Sequence, residues 1–435
     1  MEKRISSPRR LRGSITVPPD KSISHRVAIL NAVAAGPAAV GNFLAAEDCL
    51  STLACLRALG VSWSLRENPD GGSDLTITGR GLAGLSESAD VLDARNSGTT
   101  MRLLAGLLAG RPFLSVLTGD ESLRARPMAR IIEPLRQMGA QVWGRNNDTL
   151  APLVIMGGRI RGIRYRSPVA SAQVKSALLL AGLQAEGETV YEEPARSRDH
   201  TERMLRAMGA DLKEEGNALL LLPLAKDLTP LSLRVPGDFS AAAFWFAAAA
   251  LHPDADVTLR GVGLNPTRTG LLDVLREMGT DVIVSEERVV GEEPVADLRV
   301  RSSHLRGVVV DGPAVVRLID EVPVLAVAAS LAEGRTTIRD VGELRLKESD
   351  RVKLTVEALR RMGARIEEQG DALVIEGSGR LAGAVCDSHG DHRLAMALAI
   401  AGVVAEGETV IRDAEATDVS YPGFWQALDH LKGTS

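Results

Sequence analysis

The sequence has few of the features that mark secreted, zinc-binding or membrane proteins. Its three cysteines, Cys49, Cys55 and Cys386, form neither a CxxC nor a Cys/His pattern, so we expect no disulfide framework and no metal site. The longest apolar run, AAAFWFAAAAL at 241–251, is too short to cross a bilayer. The N-terminal residues lack the apolar core of a signal peptide. These features predict a cytoplasmic protein with no membrane partner.

The chain also lacks an excess of basic residues. It has 51 Lys and Arg against 56 Asp and Glu, a net charge of −5, so we expect no general nucleic-acid binding. Any anion site must therefore come from local clustering of cations. With 435 residues, the chain is too long for one ordinary core, which predicts two domains of roughly 200 residues each.

Two phrases repeat along the sequence. The first has the form LRxMG or LRxLG, and its copies begin at Leu56, Leu135, Leu205, Leu275 and Leu359. Each copy predicts the end of an amphipathic helix, a glycine cap and a strand. The final stretch FWQALDHLKG is an imperfect sixth copy.

The second phrase is apolar on nearly every helical face and therefore predicts buried helices. Its copies end at Gly36, Gly110, Gly187, Gly334 and Gly407, and FWFAAAALHPDA fills the missing place. Together the two phrases divide the chain into six repeats, each with one buried helix, one exposed helix and several short strands. This alternation predicts an α/β fold with mixed sheets.

Short polar segments begin the six buried helices: DKSISHR, NSGTTMR, SAQVKS, GDFS, DEVP and GDHR. Helix starts attract anions because their N–H groups are free and carry partial positive charge. An alternative is simple capping, which would suffice for Ser22, Ser171, Asp238 and Asp320. Lysine and arginine offer no acceptor for a cap, yet several lie in or near these starts: Lys21, Arg26, Arg102, Lys175 and Arg393. The joint pattern predicts a site for a densely negative ligand.

Two further loops are rich in charge. GELRLKESDRVKL spans 342–354, and GDESLRARPMAR places Arg124 and Arg126 before Pro127. A solvated helix N-terminus is a common alternative for the first loop, and for the second loop alone surface charge is the better explanation. GRGLAG matches GxGxxG, but no helix pattern follows it, so a dinucleotide site is not expected.

Eight motifs in order resemble the EPSP synthase (5-enolpyruvylshikimate-3-phosphate synthase) family of enolpyruvyl transferases. They are DKSISHR, NSGTTMRLLAG, RPM, SAQVKSALLLAGL, SRDHTERML, LIDEVPVLAVAA, LKESDR and GDHRLAMA, and SAQVKSALL with RDHTE is similar to the class II branch. The resemblance implies a two-domain inside-out α/β barrel, with three βαβαββ-type repeats in each domain. It implies domain I at 1–20 plus 234–435, domain II at 21–233, hinges near 18–22 and 231–238, and an active site in the interdomain cleft.

The reaction implied is transfer of the enolpyruvyl group of phosphoenolpyruvate to the 5-hydroxyl of shikimate 3-phosphate, with release of phosphate. It is an addition–elimination that needs two acid/base groups and no metal or cofactor. UDP-N-acetylglucosamine enolpyruvyl transferase remains an alternative, although it has Lys-Asn in place of Lys21-Ser22 and usually a cysteine in the loop around Arg124. RNA 3′-phosphate cyclase shares related units but should need ATP and a basic surface. A non-catalytic repeat protein that only binds anions is a further alternative.

Site residues follow from the resemblance, position by position. Those implied to be catalytic are Asp320, Glu348 and Lys21. Those implied to bind shikimate 3-phosphate are Lys21, Ser22, Arg26, Ser171, Gln173, Arg198, Asp320 and Lys347. Those implied to bind phosphoenolpyruvate are Lys21, Asn96, Gly98, Arg126, Gln173, Arg351 and Arg393. The resemblance also implies a monomer.

The chain departs from the family pattern at three positions. Ala172 replaces a second serine, Glu343 replaces an asparagine of class I, and Val419 replaces a lysine that contacts phosphoenolpyruvate. Gly98 keeps the small residue beside the phosphoenolpyruvate position, which predicts sensitivity to glyphosate. Val419 weighs against that prediction, because it removes one cationic contact.

Overall fold

Helices and strands alternate along the chain as the repeated phrases predict. The computed structural model describes residues 1–68 and 72–433. Its α-helices are α1 (Lys21–Ala32), α2 (Glu47–Ala58), α3 (Gly98–Leu108), α4 (Glu121–Ala125), α5 (Ala129–Gln137), α6 (Arg145–Asp148), α7 (Ala172–Gly182), α8 (His200–Ala207), α9 (Phe239–Leu251), α10 (Gly270–Met278), α11 (Pro313–Leu318), α12 (Val322–Leu331), α13 (Arg351–Arg361), α14 (His392–Val404) and α15 (Phe424–Lys432). Short 3₁₀ turns include Ile319–Glu321 and Gly342–Leu346.

The strands are short and are distributed over the whole described chain. They are β1 (Lys3–Ser6), β2 (Leu11–Thr16), β3 (Ala35–Phe43), β4 (Ser62–Glu67), β5 (Ser73–Arg80), β6 (Leu92–Asp93), β7 (Leu114–Thr118), β8 (Gln141–Gly144), β9 (Leu150–Met156), β10 (Arg164–Arg166), β11 (Thr189–Glu192), β12 (Leu212–Glu215), β13 (Ala218–Leu221), β14 (Leu233–Arg234), β15 (Ala255–Gly263), β16 (Asp281–Val290), β17 (Glu293–Arg301), β18 (Val309–Val310), β19 (Arg335–Ile338), β20 (Arg365–Gln369), β21 (Ala372–Glu376), β22 (Val385–Asp387) and β23 (Glu408–Arg412).

The chain divides into two units. Unit 1 contains Met1–Pro18, Pro236–Val289 and the chain from Pro294 onward, and unit 2 contains Pro19–Val235 with Val290–Glu293. Each unit has its own hydrophobic core of buried aliphatic side chains. In unit 1 an aromatic group completes the core, because Trp245 of α9 stacks on Phe424 of α15 with ring centroids 4.9 Å apart.

The sheets repeat one topology. Unit 2 has three four-stranded sheets in the orders β14-β3-β5-β4, β6-β7-β9-β8 and β10-β11-β13-β12. Unit 1 has β16-β17-β15-β2, β18-β19-β21-β20 and the three-stranded β1-β23-β22. In each four-stranded sheet of unit 2, the second strand follows a buried helix, pairs in parallel with the first strand and pairs antiparallel with the third. The predicted repeat of helices and short strands in mixed sheets is confirmed.

The six helices predicted to be buried are α1, α3, α7, α9, α12 and α14, and almost all their residues are inaccessible to solvent. Small residues allow their backbones to approach closely. A Cβ at Gly106 of α3 would lie 2.1 Å from the carbonyl oxygen of Ala177 in α7, so only glycine fits there. Most residues of each buried helix therefore pack in a core, and the residues at its start are the ones that could contact a ligand.

The glycines that end the LRxMG-type phrases act as predicted. Gly60, Gly139, Gly209, Gly279 and Gly363 all have φ between 86° and 108°, a left-handed conformation that glycine adopts without steric cost. The imperfect sixth copy ends in the same way at Gly433, with φ 74°. Among the described residues, no helix combines the length and the hydrophobicity that a membrane span requires.

Candidate active site

In unit 2, hydrogen bonds join the starts of the three buried helices. The Arg26 guanidinium of α1 donates from Nη2 to Ser176 Oγ of α7 at 3.1 Å. The Arg102 guanidinium of α3 donates from Nη1 to Gln173 Oε1 of α7 at 2.5 Å. Arg26 and Arg102 therefore both contact the start of α7, across separations of 150 and 71 positions in the sequence.

Lys21 is the first residue of α1 and keeps part of its surface accessible. Its Nζ lies 2.9 Å from Asp48 Oδ2, and the side chains are 18% and 11% exposed respectively. Asp48 belongs to the first turn of α2, where the sequence AAEDCL gives no signal for a functional residue. The partnership fixes the ammonium at the helix start, and sequence reasoning missed it.

Arg126 lies beside the start of α3, as the resemblance implies for the phosphoenolpyruvate side. Its Nη2 donates to Asn96 Oδ1 at 2.5 Å and to Ser122 Oγ at 3.3 Å. A Cβ at Gly98 would lie 2.6 Å from Arg102 Nη1 and 3.6 Å from Arg126 Nη1. Glycine at this position therefore leaves the space that the Arg102 guanidinium occupies.

The residues predicted to hold shikimate 3-phosphate in unit 2 are grouped around α1 and α7. Arg26 is buried and donates to the hydroxyl of Thr201, the carbonyl of Ser22 and the hydroxyl of Ser176. Gln173 donates to Thr99 Oγ1 at 3.0 Å. Arg198 lies on the irregular segment before α8 and is partly exposed.

The N-cap alternative is right for some residues and wrong for others. Ser171 and Asp238 cap α7 and α9 through their side chains. Ser22 does not cap α1, because Asp20 does, accepting from the Ile23 amide at 2.8 Å. Asp320 is not the N-cap of α12, since the cap residue is Glu321, and Asp320 is the middle residue of the 3₁₀ turn Ile319–Glu321.

Lys175 differs from the other predicted cations. Its side chain is 1% exposed, and its Nζ lies 2.9 Å from Glu193 Oε1 and 2.7 Å from Glu202 Oε1. Burial raises the pKa of Glu202, although the Lys175 ammonium acts in the opposite direction. The expectation that Lys175 offers its charge to a ligand is wrong, because buried carboxylates neutralise it.

In unit 1, the starts of α9, α12 and α14 are also connected. The Ser240 hydroxyl of α9 donates to Glu321 Oε1, and Arg393 Nη1 of α14 donates to the same oxygen at 3.3 Å. Arg268 donates to Ser240 Oγ at 2.6 Å and to Asp238 Oδ1 at 3.2 Å. Glu321 thus joins three helix starts, a role that the motif DEVP did not reveal.

Arg351 is the centre of a buried ionic cluster in unit 1. Its Nε donates to Asp391 Oδ2 at 2.8 Å, its Nη2 to Glu348 Oε2 at 2.6 Å, and its Nη1 to Asp320 Oδ1 at 3.3 Å. Burial disfavours the charge of Arg351, but the three carboxylates outweigh burial and raise the pKa of the guanidinium. Asp391 was missed as a site residue, although it lies in the quoted motif GDHR.

Asp320 is surrounded by cations. Lys347 Nζ and Arg351 Nη1 each lie 3.3 Å from its Oδ1, and Arg393 Nη2 lies 4.0 Å from its Oδ2. Lys347 and Glu348 are the more accessible members, with side chains 30% and 27% exposed. We call these residues the acid–base cluster: Asp320, Lys347, Glu348, Arg351, Asp391 and Arg393. The structure brings together every site residue that the sequence predicted in unit 1.

His25 supports the start of α1 from within the core. Its Nδ1 lies 2.7 Å from Thr52 Oγ1, and that hydroxyl lies 2.6 Å from Thr100 Oγ1 at the start of α3. Burial lowers the pKa of His25 to about 3. The imidazole is therefore neutral at physiological pH and acts as a hydrogen-bonding group rather than as a cation.

This neutral histidine predicts a pH dependence of stability. Between pH 6.5 and about 3, the unfolded chain binds a proton at His25 that the folded chain does not bind. Acidification therefore costs up to about 1.4 kcal/mol per pH unit. We expect His25→Asn to reduce the drop in melting temperature between pH 7 and pH 5. The exposed His430 provides a control, since His430→Asn should keep the drop of the parent. An unchanged drop in His25→Asn would contradict the assignment.

Among the described residues, no group of three or more His, Cys, Asp or Glu side chains could hold a metal ion.

Comparison with known proteins gives a consistent set of relatives. The sequence model of the EPSP synthase (3-phosphoshikimate 1-carboxyvinyltransferase) family matches residues 5–428. A 3-phosphoshikimate 1-carboxyvinyltransferase of Herpetosiphon aurantiacus is 56% identical over 434 residues, covering 99% of this chain and 100% of the relative.

Further relatives agree in sequence and in structure. The 3-phosphoshikimate 1-carboxyvinyltransferase of Desulforudis audaxviator is 55% identical over 432 residues, covering 99% of this chain and all of its own. A solved structure of EPSP synthase from Acinetobacter baumannii superposes with a TM-score of 0.87 at 43% identity, covering 99% of this chain and 98% of that one. The similarity therefore extends through both units.

Proposed function

The chain belongs to the EPSP synthase family, and on that premise we propose which of its residues carry out the family's reaction. The protein is an enzyme of the shikimate pathway that transfers the enolpyruvyl group of phosphoenolpyruvate to the 5-hydroxyl of shikimate 3-phosphate and releases phosphate. The observation that carries the assignment of residues is the concentration of cations at buried-helix starts within each unit.

The charge of the substrates matches this concentration. Each phosphate carries about −1.5 to −2 near neutral pH, and each substrate adds a carboxylate, so the pair carries roughly −5 to −6. The cations assigned to them are Lys21, Arg26, Arg126, Arg198, Lys347, Arg351 and Arg393. Arginine suits this task because its planar fork binds carboxylate or phosphate through two parallel hydrogen bonds.

We assign shikimate 3-phosphate to residues from both units. In unit 2 they are Lys21, Ser22, Arg26, Ser171, Gln173 and Arg198, and in unit 1 they are Asp320 and Lys347. We assign phosphoenolpyruvate to Lys21, Asn96, Gly98, Arg126, Gln173, Arg351 and Arg393. Support in unit 2 comes from the direct contacts of Arg126 with Asn96 and of Arg102 with Gln173. Support in unit 1 comes from the contacts within the acid–base cluster.

The reaction requires proton transfer at two atoms. Asp320 accepts the proton of the 5-hydroxyl while that oxygen attacks C2 of phosphoenolpyruvate, and Glu348 delivers a proton to the methylene carbon. The resulting tetrahedral ketal phosphate loses phosphate, which takes up the proton held by Asp320, and the methyl group returns a proton to Glu348 to restore the vinyl group. Lys21 shares the acid/base work through its partly exposed ammonium. Arg351 donates a hydrogen bond to Glu348, and its positive charge favours the carboxylate form of Glu348 in the free enzyme. We therefore propose that Glu348 receives the proton that it delivers from the bound substrate.

Phosphate release with two alternative acceptors tests this function. With phosphoenolpyruvate present, we expect shikimate 3-phosphate to support stoichiometric release of phosphate, and UDP-N-acetylglucosamine to support none. Release with UDP-N-acetylglucosamine alone would establish the alternative enzyme. No release with either acceptor would favour the anion-binding repeat protein.

We also propose that the enzyme is sensitive to glyphosate. The support is Gly98, beside which Arg102 Nη1 occupies the space that a side chain would need. We expect inhibition at low glyphosate concentration that is competitive with phosphoenolpyruvate. Gly98→Ala should weaken the inhibition, since its methyl group would displace Arg102. Weak inhibition of the parent at high concentration would contradict the proposal and would point to Val419, a position at which the resemblance implies a lysine in many family members.

The remaining expectations from the sequence stay proposals of the same kind. We propose a monomer that works in the cytoplasm on these two small molecules, without nucleic acid, membrane or cofactor. The support is the family resemblance and the composition of the chain.

A further inference from the structure

Arg198 lies on a segment with no helix or strand of its own. Between the end of β11 at Glu192 and the start of α8 at His200, the backbone is irregular. An arginine on such a segment can bind a phosphate in a defined geometry only if other groups fix the segment. Because this question concerns the proposed shikimate 3-phosphate site, the inference that follows rests on the proposed function.

The residue before Arg198 is fixed at every polar atom. The Ser197 amide donates to Glu193 Oε1 at 2.9 Å, and the Ser197 hydroxyl donates to Glu193 Oε2 at 2.7 Å. The Ser197 carbonyl accepts from Lys175 Nζ at 3.1 Å. That carbonyl shares its peptide plane with the amide nitrogen of Arg198. Lys175 therefore sets the orientation of the peptide from which the Arg198 side chain departs.

Lys175 is suited to this role and not to binding a ligand. Its ammonium has three donors, and three acceptors surround it: the Ser197 carbonyl, Glu193 Oε1 at 2.9 Å and Glu202 Oε1 at 2.7 Å. Its side chain is 1% exposed, and those of Glu193 and Glu202 are 8% and 2% exposed. Three satisfied hydrogen bonds in a buried place make the arrangement rigid.

The same segment is held on the far side of Arg198. Asp199 accepts from Arg203 Nε at 2.9 Å and from Arg196 Nη2 at 3.2 Å. Thr201, two residues further, accepts from Arg26 Nε at 2.7 Å. The segment is therefore fixed on both sides of Arg198, and Lys175 anchors the side toward β11.

We infer that Lys175 is a positioning residue for Arg198, acting through Glu193 and Ser197, and that it thereby sets the affinity for the phosphate of the acceptor substrate. We call these three residues the Ser197 clamp: Lys175, Glu193 and Ser197. Lys175 itself touches no reacting atom in this account. Its contribution is to present the Arg198 guanidinium in one orientation.

Steady-state kinetics of four full-length variants test the inference. Lys175→Met should raise the KM for shikimate 3-phosphate about tenfold or more, because a small misplacement of a binding group is costly. It should leave the KM for phosphoenolpyruvate nearly unchanged. Arg198→Ala should raise the same KM, and the double variant should be no worse than Arg198→Ala alone. Lys213→Met provides a matched control in unit 2, since Lys213 is 68% exposed, and it should behave as the parent.

Several results would overturn the inference. If the double variant raised the KM for shikimate 3-phosphate by the product of the two single effects, Lys175 would not act through Arg198. An equal rise in the KM for both substrates would indicate a general structural role. An unchanged KM for shikimate 3-phosphate in either single variant would also refute it. Should Lys175→Met fail to fold, Glu193→Gln weakens the same clamp by removing the carboxylate that contacts both Lys175 and Ser197, and the same comparison with Arg198→Ala applies.

These results are distinguishable from a failure of the proposed function. If the parent enzyme does not use shikimate 3-phosphate, the function itself is wrong. If the parent uses it and Arg198→Ala weakens its binding while Lys175→Met does not, only the role of Lys175 is wrong.

Discussion

Replacing Arg351 with Met should destabilise unit 1 by about 3–5 kcal/mol, because it leaves buried carboxylates without their counter-ion. Arg351 is 1% exposed and donates to Asp391, Glu348 and Asp320. For a domain of this size, the change corresponds to a loss of roughly 6–20 °C in melting temperature. Phosphoenolpyruvate should also no longer bind measurably. Differential scanning calorimetry and titration calorimetry measure the two effects.

The loss of stability should depend on pH in a defined direction. Burial favours the protonated form of Asp391, but Arg351 outweighs burial and lowers the pKa of that carboxyl. The resulting stabilisation is present above the pKa of the unfolded carboxyl and is lost as the pH falls through the folded pKa. The parent and Arg351→Met should therefore converge in stability as the pH falls below about 4.

Two further variants separate charge from geometry at this position. Arg351→Lys keeps the charge, but one ammonium cannot reproduce the fork that reaches three carboxylates. It should recover part of the stability and little of the phosphoenolpyruvate affinity. Lys353→Met is the control on the same helix, because Lys353 is 64% exposed, and its stability should change by less than about 0.5 kcal/mol. If Arg351→Met were as stable as the control, Arg351 would not stabilise unit 1 through its contacts with the three carboxylates.

The repeated phrases of the sequence were sufficient to predict the alternation of buried helices, exposed helices and short strands. Continuous apolar runs mark helices that are buried on all sides, and α9 is the clearest case, with Phe239 to Ala250 inaccessible. Glycines such as Gly279, with φ 108°, end the other helices because a left-handed residue is needed there. Both signals are local, so one sequence suffices to find them.

The partners of the site cations could not be predicted in the same way. Asp48, Glu193 and Glu321 contact Lys21, Lys175 and Arg393, but they come from distant segments with no distinctive pattern. An isolated acidic residue in a sequence is more often a solvated one. Only the fold shows which carboxylates face a cation. This is why Lys175, which resembles the other cations in sequence, was wrongly expected to bind a ligand.

The N-cap residues show a similar limit of prediction from sequence, within a single helix start. The polar residues at the helix starts were correctly located, but the cap of α1 is Asp20 and not Ser22. A shift of one or two residues decides whether a side chain accepts from its own helix or remains available to a substrate. Sequence reasoning reached the right segment, and backbone geometry decided the role of each residue within it.

The second large effect is expected at Glu348, because we propose that this residue transfers the proton at the methylene carbon of phosphoenolpyruvate. Glu348→Gln keeps the size of the side chain and an acceptor for Arg351 Nη2, which donates to Glu348 Oε2 at 2.6 Å, but it cannot exchange a proton. We expect kcat to fall by about 10²–10⁴-fold. Glu357→Gln on α13, the helix that follows Glu348, is the control, since Glu357 is 47% exposed, and its kcat should match the parent.

The measurement that tests the whole account most directly combines turnover and binding in Glu348→Gln. Phosphate release and titration calorimetry with both substrates should show that turnover is lost while each affinity stays within about threefold of the parent. A variant that turns over at the parental rate would remove Glu348 from the chemistry. A loss of turnover accompanied by an equal loss of affinity would show that Glu348 only supports the binding residues, and the assignment of a proton-transferring carboxylate in the acid–base cluster would then be wrong.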